Sequence, residues 1–187
     1  MGNCLTATGL SRNWSKFSRY PLYADSVPRP RPPAAPPLYW PLRMPTATTI
    51  ETHSPEETIA YGRSLAAELT PPLIILLHGD LGAGKTTLVK GIAEGFQAAR
   101  AEDVTSPTFT LIHEYRSPRA TLYHIDLYRI DTERELETLA LDDLLAPTSI
   151  LLIEWGEKFP RLQRDQNMEI SLERMGETER RIQRTTR

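Results

Sequence analysis

The run Leu73-Ile74-Ile75-Leu76-Leu77-His78 leads without a break into Gly79-Asp80-Leu81-Gly82-Ala83-Gly84-Lys85-Thr86-Thr87. An apolar run without alternation is what a strand buried on both faces of a largely parallel sheet requires. The residues that follow bury little, so their use lies elsewhere. Gly79 to Thr86 satisfy G-x-x-x-x-G-K-[ST] at every fixed position. Glycines let such a loop turn tightly with its N–H groups aimed inward, which makes a nest for anions. A helix starting near Gly84 adds its positive end, and its expected inward face is Leu88, Ile92, Ala93 and Phe96. Lys85 is placed to reach the β- and γ-phosphates of a nucleotide, and the Thr86 hydroxyl to ligate its Mg2+. A buried strand before the loop and an amphipathic helix after it are the context that marks a phosphate-binding loop. The chain is therefore expected to bind a nucleoside triphosphate.

The other segments fit the same architecture. Ser54 is a good helix cap, Pro55 suits the first helical position, and Glu57 completes a capping box. Ile59, Gly62, Leu65, Ala66 and Leu69 then share one face, and Thr70-Pro71-Pro72 ends the helix. FTLIHEY and ATLYHIDLY read as strands joined by the turn RSPR, able to pair as an antiparallel hairpin. ERELETLALDDLLA reads as a helix, SILLIEW as another buried strand, and NMEISLERM as the last strand. The expectation is a three-layer α/β domain with its ligand at strand carboxyl ends.

Residues 1–44 differ in kind. Nine of the sixteen prolines lie between Tyr20 and Pro45, which excludes helix and central sheet there and predicts a disordered, extended segment. Met44 fits an alternative start, which would make the segment a gene-model artefact. MGNCLT also matches an N-myristoylation pattern through Gly2, Thr6 and a second acylation site at Cys4. The basic, acid-poor composition suits a transit peptide as well. Of these readings the plain disordered extension is preferred, leaving residues 45–187 as the folded domain.

Six Lys and Arg against one acid give residues 1–44 a net +5; subtracted from the total of −2, the rest carries −7. An acidic body is a poor non-specific ligand for nucleic acid, so any link to RNA is expected to run through a partner protein. No apolar stretch approaches the length of a membrane span. The single cysteine, Cys4, excludes an internal disulfide framework and fits a reducing compartment.

A phosphate loop needs an acid to hold Mg2+ and a group to orient the attacking water. Asp126 in LYHIDLY and Glu154 in ILLIEW both end apolar strands, and either suits those tasks if its strand neighbours the first. Asp103 to Thr110, DVTSPTFT, has the hydroxyl-rich character of a switch, with Pro107 holding Ser106 extended. His113 and His124 lack companions for a metal site and are read as ordinary sheet residues.

Together, GDLGAGKTTLVKG, VTSPTFTLIHEY, YHIDLYR and LIEWGEK, in this order and spacing, resemble the bacterial TsaE (YjeE) family over about residues 50–175. That family consists of small P-loop ATPases required for threonylcarbamoyladenosine at position 37 of tRNAs reading ANN codons. The resemblance implies a mixed central sheet flanked by helices, ATP phosphates on Gly79 to Thr86 with Thr87 beside them, and Mg2+ on Thr86 and Glu154. It implies Asp126 near the attacking water, with Lys85 the other catalytic group, and Thr105, Ser106 and Thr108 as a γ-phosphate switch. An early nucleotide contact maps to Ser54 or Pro55, and an adenine contact near Glu179 or Arg180. The implied partners are the TsaB and TsaD proteins, tRNA being met only through them, and the implied location is the cytoplasm.

No arginine is evidently placed to neutralise a transition state, although Arg129 is a candidate, so weak intrinsic hydrolysis is expected. Two other readings share the loop: a small-molecule kinase, for which no lid segment is evident, and a nucleotide-gated interaction module without useful hydrolysis.

Overall fold

The two uninterrupted apolar runs lie side by side in the sheet. Residues 46–163 and 167–186 are described by a computed structural model of the chain. The proline-rich extension, with its lipidation and targeting readings, lies outside the described residues. In chain order the elements are β1 (Thr46–Thr52), α1 (Pro55–Ala66), β2 (Leu73–His78), α2 (Lys85–Gly95), β3 (Ile112–Arg116) and β4 (Thr121–Asp126). They continue with α3 (Glu133–Thr138), α4 (Leu141–Leu144), β5 (Ser149–Glu154), β6 (Met168–Arg174) and β7 (Arg180–Thr186).

The strands form one seven-stranded sheet in the order β1-β7-β6-β2-β5-β4-β3. Strands β6, β2, β5 and β4 run parallel to their neighbours, while β1–β7–β6 and β3–β4 pair antiparallel at the two sides. Every residue of β5 is buried, as a central parallel strand requires. The expected α/β fold with a mixed sheet between helical layers is what the chain adopts.

Alternation along the strands divides the core in two. Ile75, Leu77, Leu122 and Leu152 pack with Leu65, Leu88, Ile92 and Phe96 of the α1–α2 layer. Leu76, Ile125, Leu151 and Ile153 face the opposite way, against Leu136, Leu141, Phe159 and Leu162. Period-two side-chain direction then places the strand-end acids on the α1–α2 face, since Asp126 and Glu154 are two residues beyond His124 and Leu152.

The capping reading of α1 holds with one shift. Ser54 Oγ accepts from the Glu57 amide at 3.1 Å, but the Glu57 carboxylate reaches back to His53 N at 2.7 Å. α1 crosses α2 with backbones nearly touching: a Cβ on Gly91 would lie 2.1 Å from the Ile59 carbonyl oxygen. Arg119 ties the far ends of both helices, donating to Ala66 O at 3.2 Å and Gly95 O at 3.5 Å with its guanidinium over Phe96. A cation at two helix carboxyl ends is electrostatically favourable.

Three readings of the sequence need correction. FTLIHEY is not all strand: Leu111 N donates to Pro107 O at 2.6 Å, closing a turn that leaves Phe109 82% exposed and delays β3 to Ile112. ERELETLALDDLLA is two helices, because Ala140 turns left-handed at φ 47°. Leu136 and Leu141 are both buried, and their five-residue spacing would point them apart on one continuous helix. NMEISLERM is not the last strand. β7 follows it in sequence and pairs with it, and β1 lies beyond β7 at the sheet edge; both went unrecognised because RRIQRTT and TATTIET are largely polar, with Ile182 and Ile50 the facing large aliphatic residues of the pair.

Candidate nucleotide-binding site

The glycine-rich segment Gly79 to Gly84 leaves the carboxyl end of β2 and closes at the amino end of α2. Gly79 takes φ 134°, and a Cβ there would sit 2.3 Å from the Leu172 carbonyl oxygen of β6, so a side chain is excluded both by conformation and by space. Lys85 is 4% exposed and folds back over the loop, its Nζ donating to Gly79 O at 2.7 Å and Asp80 O at 3.1 Å. The ammonium lies 4.2 Å from the centroid of the Trp155 ring. Burial lowers its pKa, with the nearby carboxylates of Glu154, Glu157, Asp126 and Asp80 pulling the other way. A buried cation held by carbonyls and a ring face is poised to exchange them for phosphate oxygens.

Both strand-end acids lie beside it. β4 and β5 pair in register, Asp126 with Glu154, and Glu154 is also level with Leu77 of β2. Glu154 Oε1 accepts from Thr86 Oγ1 at 2.9 Å and from His124 Nε2 at 2.8 Å. Asp126 Oδ2 accepts from Ser106 Oγ at 2.8 Å and Thr108 Oγ1 at 2.7 Å, and its Oδ1 from Tyr128 N at 2.9 Å. The hydroxyls of Ser106 and Thr108 and the Asp126 carboxylate thus form one network.

These groups line a cleft of about 470 Å³, the size of a small-molecule site. Leu81, Gly82, Gly84, Lys85, Thr86 and Thr87 line it together with Ser106, Thr108, Asp126 and Glu154. Pro55 and Thr58 of α1 stand at the cleft with Thr178 and Arg180. Ala83 is buried behind the loop, and Gly79 and Asp80 present their carbonyls to Lys85. Thr105 is exposed and does not line the cleft. Arg129 stacks on the exposed Phe109 ring, 4.3 Å from its centroid.

The donor chemistry fits Mg2+. Among the described residues no three His, Cys, Asp or Glu side chains converge to hold a metal. One hydroxyl and one carboxylate, both hard oxygen donors, suit an ion that keeps its waters and takes phosphate oxygens for the remainder.

Several contributors were not singled out from the sequence. The sequence offers His124 only as an ordinary sheet residue; it does sit opposite His113 in the hairpin, but its imidazole meets Glu154. The signal was its place two residues before Asp126, which puts both on one face. Trp155, with φ 63°, follows Glu154 directly and packs on Tyr128 at 5.3 Å between centroids. Lys158 anchors the chain after Asp126, donating to Tyr128 O at 3.1 Å and Asp131 Oδ1 at 2.8 Å. Arg180, named only as a weak adenine contact, reaches the loop itself at Gly82 O, 3.4 Å away.

Comparison with known proteins converges on one family. The family model described as "Threonylcarbamoyl adenosine biosynthesis protein TsaE" matches residues 52–182. A Bacillus subtilis protein named tRNA threonylcarbamoyladenosine biosynthesis protein TsaE is 42% identical over 131 residues, 70% of this chain and 80% of that one. The protein of the same name from Rickettsia bellii is 37% identical over 128 residues, 68% of this chain and 88% of its own. The crystal structure of Bacillus subtilis YdiB aligns with a TM-score of 0.61 at 35% identity, covering 76% of this chain and 87% of YdiB. With the motif blocks, the fold and these relatives in agreement, the chain belongs to the TsaE family.

Proposed function

We propose that this protein is a Mg2+-dependent ATPase of tRNA threonylcarbamoyladenosine biosynthesis, acting with TsaB and TsaD and meeting tRNA only through them. Its place in that biosynthesis rests on family membership. The observation that carries the nucleotide chemistry is the contact of Thr86 with Glu154 at the mouth of the phosphate loop.

In this reading the loop amides and Lys85 bind the β- and γ-phosphates, and the α2 amino end adds a favourable field. Thr86 and Glu154 would hold Mg2+, which would supply charge neutralisation for the phosphates. Asp126 accepts a hydrogen bond from the attacking water once Ser106 and Thr108 release its Oδ2. Those two hydroxyls, freed from the acid, turn to the γ-phosphate, so nucleotide binding and rearrangement of the switch are one event. Intrinsic turnover is slow, because Arg129 is engaged with Phe109, and Arg180, the arginine that lines the cleft among the described residues, is held on the carbonyls of Gly82 and Glu179. A group supplied by a partner to a P-loop site raises turnover by about 10³–10⁵.

The test is co-purification of the full chain with TsaB and TsaD in the presence and absence of ATP, with phosphate release measured in parallel. Association that depends on nucleotide, and turnover stimulated by the pair, are the expected results. Failure to associate in either state contradicts the assignment of partners; turnover unaffected by bound partners contradicts the assignment of stimulation.

A further inference from the structure

His124 is completely buried, and its Nδ1 has no hydrogen-bond partner among the described residues. Burying a polar ring in the interior costs free energy unless its polar atoms are matched. A site wanted only for packing, between Leu122 and the strand end and level with Leu152, is better filled by an apolar side chain. Among the described residues the ring makes one hydrogen bond, between Nε2 and Glu154 Oε1 at 2.8 Å. Opposite an ionised carboxylate, which can only accept, Nε2 is the donor in that contact.

The same Oε1 also accepts from Thr86 Oγ1 at 2.9 Å. An oxygen of a carboxylate has two lone-pair directions, and here both are taken. Among the described residues every hydrogen bond to the Glu154 side chain falls on Oε1. The carboxylate is thereby held from behind, with Oε2 left as the oxygen for a cation or its water. The Thr86 hydrogen is directed at Glu154, which turns the hydroxyl lone pairs outward.

The geometry points to His124 as a positioning residue of the metal site: its Nε2–H locks the Glu154 carboxylate so that Oε2 and the Thr86 lone pairs converge on Mg2+. This rests on the reading of Thr86 and Glu154 as the metal ligands. Outer hydrogen bonds of this kind orient a metal's ligands, and removing one weakens metal affinity by about 10–100-fold.

The experiment uses the full chain with ADP and Mn2+ as probes. Free Mn2+ is counted by electron paramagnetic resonance in saturating ADP, and metal-free ADP affinity is measured by calorimetry in EDTA. His124→Leu is expected to weaken Mn2+ by about tenfold or more while leaving metal-free ADP affinity unchanged. His124→Gln, whose amide N–H stands in for Nε2–H, is expected to recover most of the Mn2+ affinity. Where circular dichroism shows His124→Leu unfolded, His124→Asn, too short to reach Glu154, replaces it with the same expectations. Unchanged Mn2+ affinity in the Leu or Asn variant overturns the inference. So does an equal loss of Mn2+ and metal-free ADP affinity, which would make His124 a packing residue alone. A wild-type chain that binds ADP but shows no nucleotide-linked Mn2+ binding overturns the underlying metal assignment and this inference with it, a pattern distinct from failure in the variants alone.

Discussion

Thr86 and Glu154 stand 68 positions apart in sequence and meet at 2.9 Å, hydroxyl to carboxylate, where β2 hands the chain to α2. The contact exists because β2 and β5 are parallel neighbours, so both end at the same edge of the sheet. Side chains in one hydrogen-bonded unit couple by about 0.5–3 kcal/mol in a double-mutant cycle. Thr86→Val, Glu154→Gln and the double variant, compared through the Mg2+-dependent part of ATP affinity, are expected to show coupling in that range. Strictly additive losses would mean that the two residues do not share an ion.

Asp126 has a different task and a different expected signature. It holds Ser106 and Thr108 through Oδ2, and no residue of the phosphate loop hydrogen-bonds to it among the described residues. Asp126→Asn should therefore retain ATP binding and lose about 10²–10⁴ in partner-stimulated turnover, the range for a group that takes up a proton from the nucleophile. Single-turnover phosphate release checks the second half of this expectation and equilibrium binding the first. Unchanged turnover would favour a nucleotide-gated module over an ATPase.

Lys85 gives a pH dependence with a definite sign. Burial lowers its pKa from the ordinary 10.5, opposed but not cancelled by Glu154, Glu157, Asp126 and Asp80. In the proposed site phosphate oxygens pair with the charged amine, so ATP affinity is expected to be full below the lowered pKa and to fall as pH rises through it, beginning short of 10.5. Calorimetric titrations at increasing alkaline pH should show that decline in the wild type. Lys85→Arg, which stays charged, should lack it. A decline of the same size in both proteins would trace the effect to another group.

Gly91 reports on the layer that supports the loop. Replacing it with alanine gains about 1 kcal/mol of helix propensity. The added methyl would lie 2.1 Å from the Ile59 carbonyl, and relieving such overpacking costs about 1–3 kcal/mol by forcing α1 and α2 apart. Gly91→Ala is expected to lower the thermal midpoint by a few degrees. A raised midpoint would mean the two helices separate without cost.

Much of this was legible in the sequence because its strongest signals are local. LIILLH, SILLIEW and the G-x-x-x-x-G-K-T pattern each specify their own conformation, and the α1 cap is written in four residues. β1 and β7 were illegible for the opposite reason. Each is polar along most of its length and is held by its partner, with the Arg181–Glu51 contact at 3.1 Å and the Arg184–Glu68 contact at 2.6 Å as side supports. The break at Ala140 depends on where Leu141 must be buried, which is tertiary information. At the site, Asp126 and Glu154 are legible as strand-end acids, whereas the contacts of His124 with Glu154 and of Trp155 with Lys85 depend on strand order. A histidine two positions before an acid becomes informative only when β4 is known to lie beside β5.

The central claim is that residues 79–86 cradle triphosphate oxygens with Lys85 as their cation. Calorimetry of ATP with Mg2+ on the wild type and on folded Lys85→Ala tests it most directly. Saturable one-to-one binding by the wild type, and its loss in the variant, is the expected result. Equal ATP affinity in the two proteins, or none in the wild type, would contradict it.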